Sequence, residues 1–240
     1  MQLTFLGTRA HIEAANRRHR RHSAALVHRD GARVMLDCGA DWRERVHTLK
    51  PDAIVLTHGH PDHAFGLRDG APCPVFATDA TWSTINGFPI RERRPLPQRK
   101  PVALAGLTVE AFPVEHSTRC PAVGLRISAD DTTFFYAPDV AYIPDRASAL
   151  KGAAVYVGDG SSLETSHVRK QGARLVGHAP VRQQLTWCEK SGVPRAYFTH
   201  CGTEIVTGDE RKLRPHLEKL AGERGVQARL AYDGLSVEIG

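Results

Sequence analysis

Four residues able to ligate a metal ion fall within six consecutive positions of the run Asp52-Ala-Ile-Val-Leu-Thr-His58-Gly-His60-Pro-Asp62-His63. Imidazole nitrogen and carboxylate oxygen together suit zinc, manganese or iron. A lone histidine is ordinarily a surface or packing residue, but packing gives no reason for four such side chains directly behind an apolar strand. On a loop, neighbouring ligands can point in different directions and so serve two sites, and Gly59 and Pro61 let that loop be tight and rigid. Paired cations lower the pKa of bound water and neutralise charge as it develops, which is the chemistry of hydrolysis.

The chain around this loop alternates β-rich runs with helical ones, the pattern of a layered α/β domain. Strands are expected over 2–6, 24–27, 33–37, 53–57, 107–114, 123–128, 133–137, 153–158 and 196–199. Asp30-Gly31 and Asp233-Gly234 each sit between β-rich runs and predict two-residue hairpin turns, because glycine accepts a positive φ. Val181, Leu185 and Cys188, with Pro180 before them and Gly192 after, predict a helix over 181–191. Thr207-x-x-Glu210 has capping-box spacing and predicts a second helix over 209–221, with the tail returning as a hairpin. Residues 91–101, basic and with three prolines, read as a surface loop. No repeat or shift of composition divides the chain, so residues 1–240 are read as a single domain.

His58-x-His60-x-Asp62-His63 matches in full the signature of the metallo-β-lactamase superfamily, and on this resemblance the chain is identified as a member. The resemblance implies an α/β fold, the αβ/βα sandwich: two mixed β-sheets face to face, helices on the outer faces and metals at one edge. It implies further ligands just beyond later apolar strands, where His116, Asp139 and His200 stand in the expected order. His58, His60, His116 and Asp139 would hold one ion and Asp62, His63, Asp139 and His200 the other, with Asp139 as the bridge. Two divalent metal ions per chain follow as cofactors, zinc or manganese, with iron also suited to these ligands.

Most of the chain resembles the phosphodiesterase branch, which includes RNase Z and the phosphoribosyl cyclic phosphodiesterase of phosphonate breakdown. The basic stretch from Arg17, the segments Val34-Met-Leu-Asp37-Cys-Gly39 and Asp62-His-Ala-Phe-Gly-Leu67, and the later Gly177-His178-Ala-Pro180 and Tyr197-Phe-Thr-His200 carry that likeness. The cysteine-rich zinc insertion of the cyclic phosphodiesterase has no counterpart at residues 10–16. No long arm like that of RNase Z is found between Ala137 and His178, which argues against tRNA processing. After the last ligand strand, Thr199-His200-Cys201-Gly202-Thr203 lacks a second histidine of the family pattern.

These readings lead to attack by a metal-bridging hydroxide on a small or cyclic phosphodiester or a nucleotide. Asp62 would orient the water and His178 would act as general acid or oxyanion contact, or else stand outside the metal ligands as a packing residue. Asp37 could fix the tautomer of a ligand histidine or simply end a hairpin. Arg18, Arg20 and Arg21, with Arg17, could bind a substrate phosphate or form a solvated loop. Asp159 reads as a turn residue, Cys201 as a buried inert thiol, and most of His11, His19, His22, His28, His47, His167 and His216 as surface residues. Two alternatives stand beside the phosphodiesterase. One is a lactonase, thioesterase or β-lactamase-type hydrolase using the same metals on a carbonyl; the other is a non-catalytic phosphate- or nucleic-acid-binding scaffold, against which the intact ligand set counts.

A net charge of +6 suits a small anionic phosphodiester as partner and leaves nucleic acid open. No apolar run approaches the roughly 20 residues of a membrane span, so no membrane partner is expected. A start without the marks of a secretory signal, and five scattered cysteines, predict a cytoplasmic protein. A homodimer is compatible with all of this.

Overall fold

Three early strands each bury at least three consecutive residues, so a sheet built from them has to be covered on both faces. The computed structural model, which describes residues 1–240, resolves this with two seven-stranded sheets. The first takes β1 (Gln2–Gly7), β2 (Ala24–Arg29), β3 (Ala32–Leu36), β4 (Ala53–Val55), β5 (Val75–Ala77) and β6 (Arg93–Pro95). The second takes β7 (Val102–Leu104), β8 (Leu107–Val114), β9 (Ala122–Ala129), β10 (Thr132–Tyr136) and β11 (Val155–Asp159). A separate hairpin of β12 (Arg169–Gln171) and β13 (Arg174–Val176) follows, then β14 (Arg195–Thr199) and β15 (Gln227–Leu230) complete the second sheet. The last strand, β16 (Ser236–Glu238), returns to the first.

The strand orders are β16-β1-β2-β3-β4-β5-β6 and β15-β14-β11-β10-β9-β8-β7. Each sheet joins an antiparallel half to a parallel half, the change coming at β3 and at β10. Between the sheets, Leu3, Phe5, Val27 and Leu36 of the first meet Val109, Leu125, Phe134 and Val157 of the second. Leu26, Met35 and Ile54 face the other way, under α1 (Val46–Leu49), α2 (Pro61–Ala64) and α3 (Asp79–Thr84). Phe112, Phe135, Tyr156 and Phe198 lie likewise under α4 (Arg146–Leu150), α5 (Val181–Ser191), α6 (Thr203–Thr207) and α7 (Glu210–Gly222). The architecture is the expected sandwich with helices outside, and no helix is long and apolar enough to cross a membrane.

Asp30 and Gly31 make the expected two-residue turn, both with positive φ, at 48° and 84°. Asp233-Gly234 does not make a hairpin. It carries the chain from β15, parallel to β14, across to β16, antiparallel to β1. The Asp233 carboxylate is spent on the N-terminal loop, accepting from the amides of Thr8, Arg20 and Arg21 at 3.0–3.1 Å. The capping box is also corrected: Thr207 ends α6, and Asp209 caps α7 by accepting from the Arg211 amide. Within 91–101 lies the edge strand β6, a place where Pro95 is tolerated because no neighbour needs its missing N–H. The stretch between Ala137 and His178 holds the small β12–β13 hairpin, too short and too polar to show as alternating strands.

Candidate metal centre

The motif loop leaves β4 through Leu56 and Thr57, and Pro61 opens α2 with His60 as its extended N-cap. This places Asp62 and His63 in the first turn of α2 and leaves His58 and His60 ahead of it. Strand ends of the other sheet supply the rest: His116 follows β8, Asp139 follows β10 and His200 follows β14. His200 adopts φ +52°, uncommon for a residue with a Cβ, to turn back toward the cluster.

Four of the other six expected ligands meet Asp139 directly, and the remaining two, His60 and Asp62, stand against those histidines. Its Oδ2 lies 3.3 Å from His58 Nε2, 3.1 Å from His63 Nε2 and 3.3 Å from His116 Nε2, and its Oδ1 lies 3.0 Å from His200 Nδ1. His60 Nδ1 stands 3.0 Å from His58 Nε2 and 3.2 Å from His116 Nε2, while Asp62 Oδ2 is 3.1 Å from His200 Nε2. Donor atoms of His58, His60, His116 and Asp139 all lie within 4.8 Å of one another, as do those of Asp62, His63, Asp139 and His200.

These residues fit a pair of cations on two grounds. His63 Nε2, Asp139 Oδ1 and His200 Nδ1 are buried with no aligned hydrogen bond, and a buried polar atom without a partner is costly. Asp37, Asp62, Asp139 and Asp159 are all buried too, and their charged contacts are histidines rather than lysine or arginine. Positive charge must come from protons or from metal. Burial pulls His63 and His200 down, but the carboxylates outweigh it and hold both imidazoles well above their usual range. Burial and neighbouring imidazoles push His58 well below that range and His60 down to about 4, so these two are neutral and ready to ligate.

Behind the ligands, Asp37 is fully buried with Oδ2 2.8 Å from His63 Nδ1, and its Oδ1 accepts from the Thr57 amide at 2.8 Å. Asp37 thus stands against an expected ligand histidine, the contact that fixing its tautomer would need. Asp159, read from sequence as a turn residue, is instead the buried end of β11, with Oδ2 2.8 Å from His178 Nδ1. The signal was present: Asp159 closes an apolar strand just as the ligand residues do. Burial lowers the His178 imidazole, yet Asp159 and then Asp139 hold it up at about 10. Its side chain is 26% exposed and lines a cleft of about 810 Å³ over the cluster, with His11, Ser161, Thr165, His167, Thr203 and Glu204 around it.

Arg18, Arg20 and Arg21 do not line this cleft. Arg18 pairs with Glu210 at 3.1 Å and stacks on Tyr232, and Arg21 lies over Trp42. Their loop is bound to Asp233 through the amides of Arg20 and Arg21. His19 and His22 are buried rather than on the surface, His19 against Thr8 Oγ1 at 2.9 Å and His22 against Asp41 at 2.9 Å, because the loop folds back beneath the cleft wall. Cys201 is buried, and burial pushes its thiol far up, as expected of an inert cysteine.

A family model of the β-lactamase superfamily domain matches residues 32–201. Ribonuclease Z of Bradyrhizobium diazoefficiens is 30% identical over 140 residues, 48% of this chain and 46% of that protein, so the chain spans about half the length of that relative. Ribonuclease Z of Mycobacterium bovis is 22% identical over an alignment of 258 residues, covering 89% of this chain and 90% of that protein. The metallo-β-lactamase fold protein YhfI from Bacillus subtilis superposes with a TM-score of 0.75 at 18% identity, covering 100% of this chain and 98% of that one, a likeness of fold.

Proposed function

The chain belongs to the metallo-β-lactamase superfamily, and on that premise we propose that it is a dinuclear metal-dependent phosphodiesterase acting on a small or cyclic diester or a nucleotide. The observation that carries this reading is Asp139, whose carboxylate stands within 3.3 Å of His58 and His116 from one ligand set and of His63 and His200 from the other. Two divalent cations, zinc or manganese, held by these residues with His60 and Asp62 would activate water near neutral pH and neutralise charge on phosphoryl oxygens. Ribonuclease Z relatives support a phosphodiester as the bond attacked, and RNA stays within the substrate class. A cleft walled by imidazoles, hydroxyls and Glu204 supports a compact substrate.

The chain's own residues then divide the work. Asp62, which lines the cleft with Oδ2 3.1 Å from His200 Nε2, would help orient the attacking water. Asp37 holds the proton on His63 Nδ1 and so presents Nε2 to the centre. His178 keeps its Nδ1 proton on Asp159 and gives the proton of Nε2 to the departing alkoxide, becoming neutral as it does so. Ligands arrive from both sheets, so residues 1–240 act as one unit in this reading. Five free thiols suit a cytoplasmic setting.

Turnover of bis(p-nitrophenyl) phosphate by protein loaded with manganese or zinc, run beside Asp139→Ala, tests the proposal. Turnover that disappears in the variant is the expected result. Absence of turnover with both metal sites filled would overturn it and bring lactones and thioesters forward.

A further inference from the structure

One polar residue of α5 is carried into the interior. Gln184 is fully buried beside Val181, Leu185, Trp187 and Cys188, where an amide without partners would be costly. Its hydrogen-bonding capacity is filled from one small region. Oε1 accepts from the Asp159 amide at 2.9 Å and from the Tyr156 hydroxyl at 2.9 Å. Nε2 donates to the Asp159 carbonyl at 2.7 Å and to the Ala179 carbonyl at 2.8 Å. Asp159 is the carboxylate that touches His178, and Ala179 is the residue that follows His178. The amide therefore ties the end of β11 to the segment entering α5, two stretches that share no strand pairing, since β11 pairs with β10 and β14. Gly158 makes the room: a Cβ there would come within 2.3 Å of Gln184 Oε1 and within 2.3 Å of the Tyr156 ring.

We infer that Gln184, braced by Tyr156, is a positioning residue that holds Asp159 and His178 in the alignment needed for proton donation; the inference rests on the phosphodiesterase reading above. A proton donor is sensitive to its placement, because displacement by a fraction of an ångström removes much of its advantage. A glutamine that only stabilised the core would affect all substrates alike.

Leaving groups separate the two roles. p-Nitrophenolate departs with little need of a proton, whereas phenolate needs one. Gln184→Leu is expected to lower kcat/KM for diphenyl phosphate about tenfold more than for bis(p-nitrophenyl) phosphate, with the loss in kcat rather than KM. Equal losses for the two esters, or none, would overturn the inference. Should Gln184→Leu fail to fold, Tyr156→Phe carries the same test: a smaller loss of the same selectivity supports it and a uniform or absent loss overturns it. In NMR spectra of the protein, the ring resonances of His178 are expected to shift or broaden in Gln184→Leu, and an unchanged signal counts against positioning. If wild-type protein turns over neither ester, the phosphodiesterase reading falls alone and this signal still decides the role of Gln184.

Discussion

Asp37 is fully buried and does not line the cleft, yet its carboxylate receives the Thr57 amide at 2.8 Å and His63 Nδ1 at 2.8 Å. A carboxylate so placed fixes which imidazole nitrogen would face a metal held there. Asp37→Asn, nearly isosteric but uncharged, is expected to weaken metal binding by roughly ten- to a hundredfold, measured by competition with a chromophoric chelator at neutral pH. Unchanged affinity would mean that packing alone orients His63. The cluster that the motif forms was legible at this scale because four residues of ligand type in six positions are improbable by packing. The partnership of Asp159 with His178 was not, since nothing local announces which carboxylate an imidazole 19 residues away will meet.

The element that carries the motif is short, and contact rather than propensity holds it in place. The Cys38 amide donates to the His63 carbonyl at 2.6 Å, and the Gly66 amide donates to the Cys38 carbonyl at 2.8 Å. Two glycines permit this approach. A Cβ on Gly39 would come within 2.2 Å of the Asp62 carbonyl oxygen, and one on Gly66 within 2.5 Å of Cys38 Sγ. Gly39→Ala must displace the backbone of a ligand residue, so it is expected to cost about 1–3 kcal/mol in urea unfolding and to lower metal affinity as well. A stability loss with affinity intact would show that the ligand loop moves as a body. The longer α5 was legible to the residue from its apolar spacing and flanking Pro180 and Gly192, whereas α1 to α3 are too brief for periodicity to show.

Across the whole molecule, the centre concentrates negative charge between two sheets, and this links stability to pH and metal. In metal-free protein His63, His178 and His200 hold protons more tightly than in an unfolded chain, His178 up to about 10. Groups raised in this way contribute stability that is complete below the unfolded value of about 6.5 and is lost as pH rises through the folded values. The depressed carboxylates Asp62, Asp139 and Asp159 act in the acid range instead, where their contribution is lost as pH falls. Metal-free protein is therefore expected to lose Tm steadily from about pH 6.5 towards 10, and saturating metal to flatten that decline by replacing the protons. Thermal scans with and without metal across this range check it; a flat metal-free profile would contradict the charge balance described here.

What the sequence determined by itself is what acts over a few residues: the ligand loop after an apolar strand, the Asp30-Gly31 turn, the stripe of α5, and a layered α/β class. Tertiary structure alone decided matters of long separation. Asp233-Gly234 has the residues of a hairpin turn, but the flanking strands found better partners in opposite sheets, β14 and β1. Asp62 meets His200 across 138 positions, and the arginine loop is held through its amides by Asp233 at the far end of the chain. Turn chemistry and periodicity are local free energies, whereas the choice of sheet and of charge partner is settled by which arrangement buries both sheets' inner faces while leaving no buried charge alone.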